Sequence, residues 1–137
     1  MPPSGEVENE MLLEQVAEAE GVYPAPAYEF IQNGLSYTVH RIYGLMVRQN
    51  VCRHITGQQL CHGLRELAID QWGYLSQTVL RTWNITETAD FGRMVFILVR
   101  HGAMTTMPED TLDDFRNVYD FTKSFELAYR IPVQCPN

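Results

Sequence analysis

A chain of 137 residues that is 45 % apolar, 11 % aromatic and 20 % charged has the composition of one globular domain with a real core, which excludes a disordered or low-complexity polypeptide. The net charge of −7 is unevenly placed: residues 1–30 hold seven acids and no lysine or arginine, residues 31–102 seven arginines against four acids, and residues 103–137 six acids against three bases. Overall acidity repels nucleic acid, so only the middle of the chain is suited to a phosphate backbone.

No apolar run approaches the roughly 18–20 residues that span a bilayer; the longest is Met94–Val99. Pro2, Pro3 and Ser4 followed by acids lack the basic-then-apolar order of a secretion signal. Three cysteines, Cys52, Cys61 and Cys135, make a poor disulfide framework. The expectation is a cytoplasmic protein with reduced thiols and no membrane partner.

In chain order, residues 1–25 form an acidic segment, partly flexible. Its stretch Glu10–Glu20 suits either a short amphipathic helix closed by Gly21 or a loose tail that docks on a basic partner or on the chain's own arginines. Tyr23–Pro26 (YPAP) resets the backbone, because the residue before a proline resists helix. Residues 26–131 then form the domain, with 132–137 as a tail. Ile31, Leu35, Val39, Ile42 and Met46 recur every three or four residues and predict a long helix along Ala27–Tyr43.

The stretch HITGQQLCHGLRELAIDQWG (His54–Gly73) carries the clearest signals. Thr56 and Gln59 form a capping-box pattern ahead of the stripe Leu60, Leu64, Leu67 and Ala68, so a helix is expected over 57–72 with Gly73 as its stop. Gly63 inside it lowers helix propensity by about 1 kcal/mol, which a close helix crossing would explain. Two further helices follow, 75–83 and 89–101, the latter capped by Thr86 or Thr88 and placed centrally. Ala103–Met107 and Asn117–Phe121 read as short strands around the acidic loop Pro108–Phe115, with a short helix after Phe121. The sum is a mainly α domain with a small β-hairpin, winged-helix-like.

Three chemistries compete for this frame. Cys52, His54, Cys61 and His62 are the metal or thiol candidates, but their spacing matches no usual zinc pattern. Neighbours 61 and 62 on a helix also point about 100° apart. No nucleophile elbow, phosphate loop or EF-hand spacing occurs, so no catalytic residue and no cofactor is expected. In a winged helix the third helix would read DNA. Asp90, Arg93, Ile97 and Arg100 would line its outer face, with Arg81 and His101 assisting. Against that, the wing holds Glu109, Asp110, Asp113 and Asp114, which repel phosphate. Trp72, Tyr74, Trp83, Tyr119, Phe121 and Phe125 suit a core or, where exposed, an interface.

The stretches AYEFIQNGLSYT (Ala27–Thr38), HITGQQLCHGLRELAIDQWG (His54–Gly73), TADFGRMVFILV (Thr88–Val99) and DFRNVYDF (Asp114–Phe121) together resemble an uncharacterised bacterial family found mainly in planctomycetes and verrucomicrobia. The resemblance runs from about Ala27 to Phe125 and implies no activity, cofactor or site residue. The expected function is a non-enzymatic protein-interaction or regulatory module, a small subunit of a larger assembly, whose partner is another protein. The alternatives are a winged-helix nucleic-acid-binding regulator using Arg81, Arg93 and Arg100, and a metal- or thiol-dependent enzyme around Cys52, His54, Cys61 and His62.

Overall fold

The computed structural model describes residues 4–44, 55–104 and 112–127. Five α-helices follow one another: α1 (Ser4–Glu20), α2 (Ala25–Tyr43), α3 (Gly57–Trp72), α4 (Ser76–Thr82) and α5 (Thr88–Arg100). A 3-10 turn, Gly73–Leu75, joins α3 to α4; a second, Leu112–Phe115, and a π-helical turn, Thr122–Leu127, lie beyond α5.

Helix α3 starts where its sequence says. Gln59 N–H donates to the Thr56 hydroxyl at 3.1 Å and Thr56 N–H donates to the Gln59 side chain at 2.8 Å, so two orphan amides are satisfied reciprocally. Gly73 ends the helix with φ of +54°, a left-handed conformation that penalises any side chain. Helix α2 begins at Ala25, immediately after Pro24. Helix α1 begins six residues earlier than the apolar pattern predicts and buries Leu13 and Val16, so its acidic sequence is anchored to the core.

The centre is built from Ile31 of α2, Leu64 of α3, Leu80 of α4 and Phe91, Met94 and Leu98 of α5, all essentially without solvent contact. Helices α2 and α3 cross closely. A Cβ on Gly63 would collide with the Thr38 side chain, and one on Gly34 with Leu64. The helix-weakening glycine at 63 is thus explained by backbone approach, since a side chain there has no room.

The expected β-hairpin and winged helix are overturned: the described residues contain no strand. Ala103 is a bend, Met104 is irregular, and Thr105–Met107 lie outside the described residues. The second expected strand, Asn117–Phe121, is irregular. Asn117 sits at φ +50°, which breaks an extended run. The Thr88 hydroxyl donates to the Phe115 carbonyl at 2.5 Å and accepts the Val118 N–H at 3.1 Å. A side chain of α5 thus satisfies backbone groups that a partner strand would otherwise take. Phe115 fills the space over Gly92, where a Cβ would approach its ring to 2.6 Å. Of the acidic loop, Leu112–Phe115 is helical, while Glu109 and Asp110 lie outside the described residues.

Candidate interaction surface

The metal and thiol candidates do not assemble. Cys61 is fully enclosed in α3, and burial pushes its thiol up to about 12, so the reactive thiolate is suppressed. His62 is exposed, its ring 5.5 Å from that of Tyr119, whose hydroxyl donates to the Cys61 carbonyl at 2.7 Å. Cys52 and His54 lie outside the described residues. Among the described residues no three His, Cys, Asp or Glu side chains converge as metal ligands.

The arginines proposed for nucleic acid are divided between α4 and α5, and the two on α5 are paired with carboxylates. Arg81, exposed on α4, borders a polar cleft of about 210 Å³ with Thr86 and Asp120. Arg93 donates to Asp90 at 2.5 Å with Glu87 at 3.7 Å. Arg100 donates to Glu20 at 2.9 Å, and that carboxylate oxygen also meets His101 Nε2 at 2.9 Å. The acidic N-terminal segment therefore does reach the arginine-bearing middle, through its last helical residue. These two contacts hold the Glu20 carboxyl below its ordinary value, His101 contributing most and Arg100 next.

Asp90 is a correction. Expected on the outer face of α5, it is buried, and its carboxylate accepts from five donors. The Tyr23 hydroxyl at 2.6 Å and Arg93 share one oxygen; the Thr86 N–H at 2.9 Å, the Thr86 hydroxyl at 3.4 Å and the Glu87 N–H at 3.3 Å share the other. The cap of α5 is accordingly Glu87 with Asp90 in its first turn, and neither expected threonine serves. With five donors on its two oxygens, this carboxylate holds the Tyr23 hydroxyl and the first turn of α5 in place and is committed to the fold. The signal was present as an acid three residues into a helix preceded by Glu and Thr.

Among the described residues, two apolar features of the surface bear on function. The first is a trough of about 380 Å³ on the outer side of α5, floored by the partly exposed Phe96 and Ile97, walled by Leu112, and bounded by Arg93 and Arg100. Seven residues apart, the two arginines lie two turns along one helix face, about 10 Å apart along its axis. Their side chains stay 47 % and 63 % exposed despite their carboxylate partners.

The second is an aromatic cluster where α2, α3 and α4 meet. The Phe30 ring lies 5.2 Å from Trp72 and 6.0 Å from Trp83, and the two tryptophans meet edge to face at 5.5 Å. Beside it, Tyr74 is 70 % exposed, Leu75 47 % and Val22 52 %. Sequence reasoning had Trp72, Tyr74 and Trp83 in view but could not say which were covered; the turn after α3 turns Tyr74 and Leu75 outward.

Among the described residues no helix is long and apolar enough to cross a membrane. No family model, curated protein or solved structure matches the chain.

Proposed function

We propose that the protein is a non-enzymatic interaction module whose α5 trough receives an amphipathic peptide segment of another protein. The observation that carries this reading is the trough itself: a concave apolar floor with a guanidinium at each end. Such a shape fits a short segment that inserts apolar anchors and sets a carboxylate near Arg93 or Arg100. Each arginine presents five N–H donors, and its in-chain carboxylate contacts engage one terminal nitrogen. A nucleic acid fits less well, because Glu20, Glu87 and Asp90 already compensate the same arginines and the chain carries −7 overall.

The test is selection of a displayed random peptide library on the immobilised protein. The expected winners pair Leu, Met, Phe or Trp with a flanking Asp or Glu and lose affinity for Ile97→Glu, a change at a partly exposed position that leaves the helical spectrum intact. Failure to enrich any sequence, or enriched peptides indifferent to Ile97→Glu, overturns the reading.

A further inference from the structure

We infer that the two ends of the α5 trough are unequal: the carboxylate of a bound peptide pairs with Arg100, and Glu20 of α1 is a built-in competitor for that guanidinium. The inference rests on the trough being a peptide site. It adds which end takes the acid and what holds weak binders off.

The Arg93 end is closed to an incoming acid. Its partner Asp90 stands three residues earlier in the same helix and is only 8 % exposed. The Tyr23 hydroxyl shares the Asp90 oxygen that Arg93 meets, and the Thr86 and Glu87 amides hold the other. Glu87 adds a second carboxylate 3.7 Å from the same guanidinium nitrogen. Drawing Arg93 away would leave the buried Asp90 charge short of its counter-ion, which is costly.

Arg100 differs in each respect. Its partner Glu20 comes from another helix, 80 residues away in sequence, as the last residue of α1 before the left-handed Gly21. The Arg100 side chain is 63 % exposed, so the pair is weak. The Glu20 oxygen that meets Arg100 also meets His101 Nε2 at 2.9 Å, so a Glu20 that gives up Arg100 keeps a partner. Exchange of carboxylates therefore strands no charge.

Tethering decides which acid prevails. Glu20 is fixed beside Arg100 by α1, whose Leu13 and Val16 are buried in the core, so it outcompetes a free carboxylate. A carboxylate carried on a segment whose apolar anchors already sit on Phe96 and Ile97 is tethered in its turn and displaces it. Glu20 thus makes the trough selective for acids that arrive with apolar anchors.

The probes are the peptides recovered from the library selection, each made with its flanking Asp or Glu and again with Asn or Gln in that place. Affinities are measured by titration calorimetry at a temperature where every variant has wild-type helicity. Glu20→Gln should bind the acidic form about twofold to fivefold more tightly than wild type and the amide form equally. Glu18→Gln, which removes the same charge from an exposed position on α1, should match wild type. Arg100→Gln should bind the two forms alike, whereas Arg93→Gln keeps the preference for the acid. In the unaltered chain, the Glu20 carboxyl carbon resonance should move with the acidic form and stay in place with the amide, because coupling between competitors is reciprocal. Unchanged affinity of Glu20→Gln for the acidic form, an unmoved Glu20 resonance, or an acid preference lost in Arg93→Gln instead of Arg100→Gln overturns the inference and leaves the trough standing. A selection that enriches no peptide overturns both.

Discussion

The hydroxyl of Tyr23 donates to the buried carboxylate of Asp90 at 2.6 Å across 67 residues of sequence, tying the α1–α2 linker to the first turn of α5. Burial, with the hydrogen bond to Asp90 second, raises the pKa of that phenol well above its ordinary value, so the hydroxyl keeps its proton and remains a donor at neutral pH. Removing the donor leaves the carboxylate with four others; removing the carboxylate strands a phenol, a guanidinium and the capping amides together. Tyr23→Phe should therefore cost about 1–2 kcal/mol and Asp90→Ala about 3 kcal/mol, with a non-additive double variant, read from urea denaturation midpoints.

Gly63→Ala sets two effects against each other. Alanine raises helix propensity by about 1 kcal/mol. The new Cβ meets the Thr38 hydroxyl and comes within 2.9 Å of the Thr38 Cβ, which is fixed to the α2 backbone and has no free rotation to escape. Overpacking of about 1–3 kcal/mol prevails, so the variant should be less stable than wild type by chemical denaturation.

Glu20 predicts an acid limb to the stability curve. Its carboxyl is held below 4.5 by His101 and Arg100, so the folded state binds the proton less readily than the unfolded chain. The resulting stabilisation is present above the ordinary carboxylate value and is lost as pH falls through the lowered folded value. Glu20→Gln should be less stable than wild type near neutrality and converge with it in acid, as measured by denaturation midpoints across pH.

Cys61 should resist alkylation. Its enclosed thiol is pushed up to about 12, so iodoacetamide under native, mildly alkaline conditions should leave the Cys61 peptide unmodified, with full labelling once the chain is denatured. Native labelling at a rate close to that of a free thiol would revive this residue as a reactive group.

Some of this protein is written locally. The start and stop of α3 follow from Thr56, Gln59 and Gly73, because a capping box and a left-handed terminus involve residues only a few positions apart. The apolar stripe of α5 is likewise legible, since helical period is a property of one segment; of the stripe expected along α2, Ile31 is buried, Leu35 and Val39 are half-buried, Ile42 is exposed and Met46 lies outside the described residues. What only the tertiary structure decided depends on groups far apart in sequence. Gly63 has its reason in Thr38, Asp90 is turned inward by Tyr23, and Arg100 is met by Glu20. The β-prone residues 117–121 never become a strand, because strand preference is realised only against a pairing edge. Thr88 of α5 takes the backbone groups on either side of Arg116 and Asn117 instead. Sequence period fixes which face of an element is apolar; what covers that face, and what stays exposed at Tyr74 or Ile97, is set by the three-dimensional packing of the other helices.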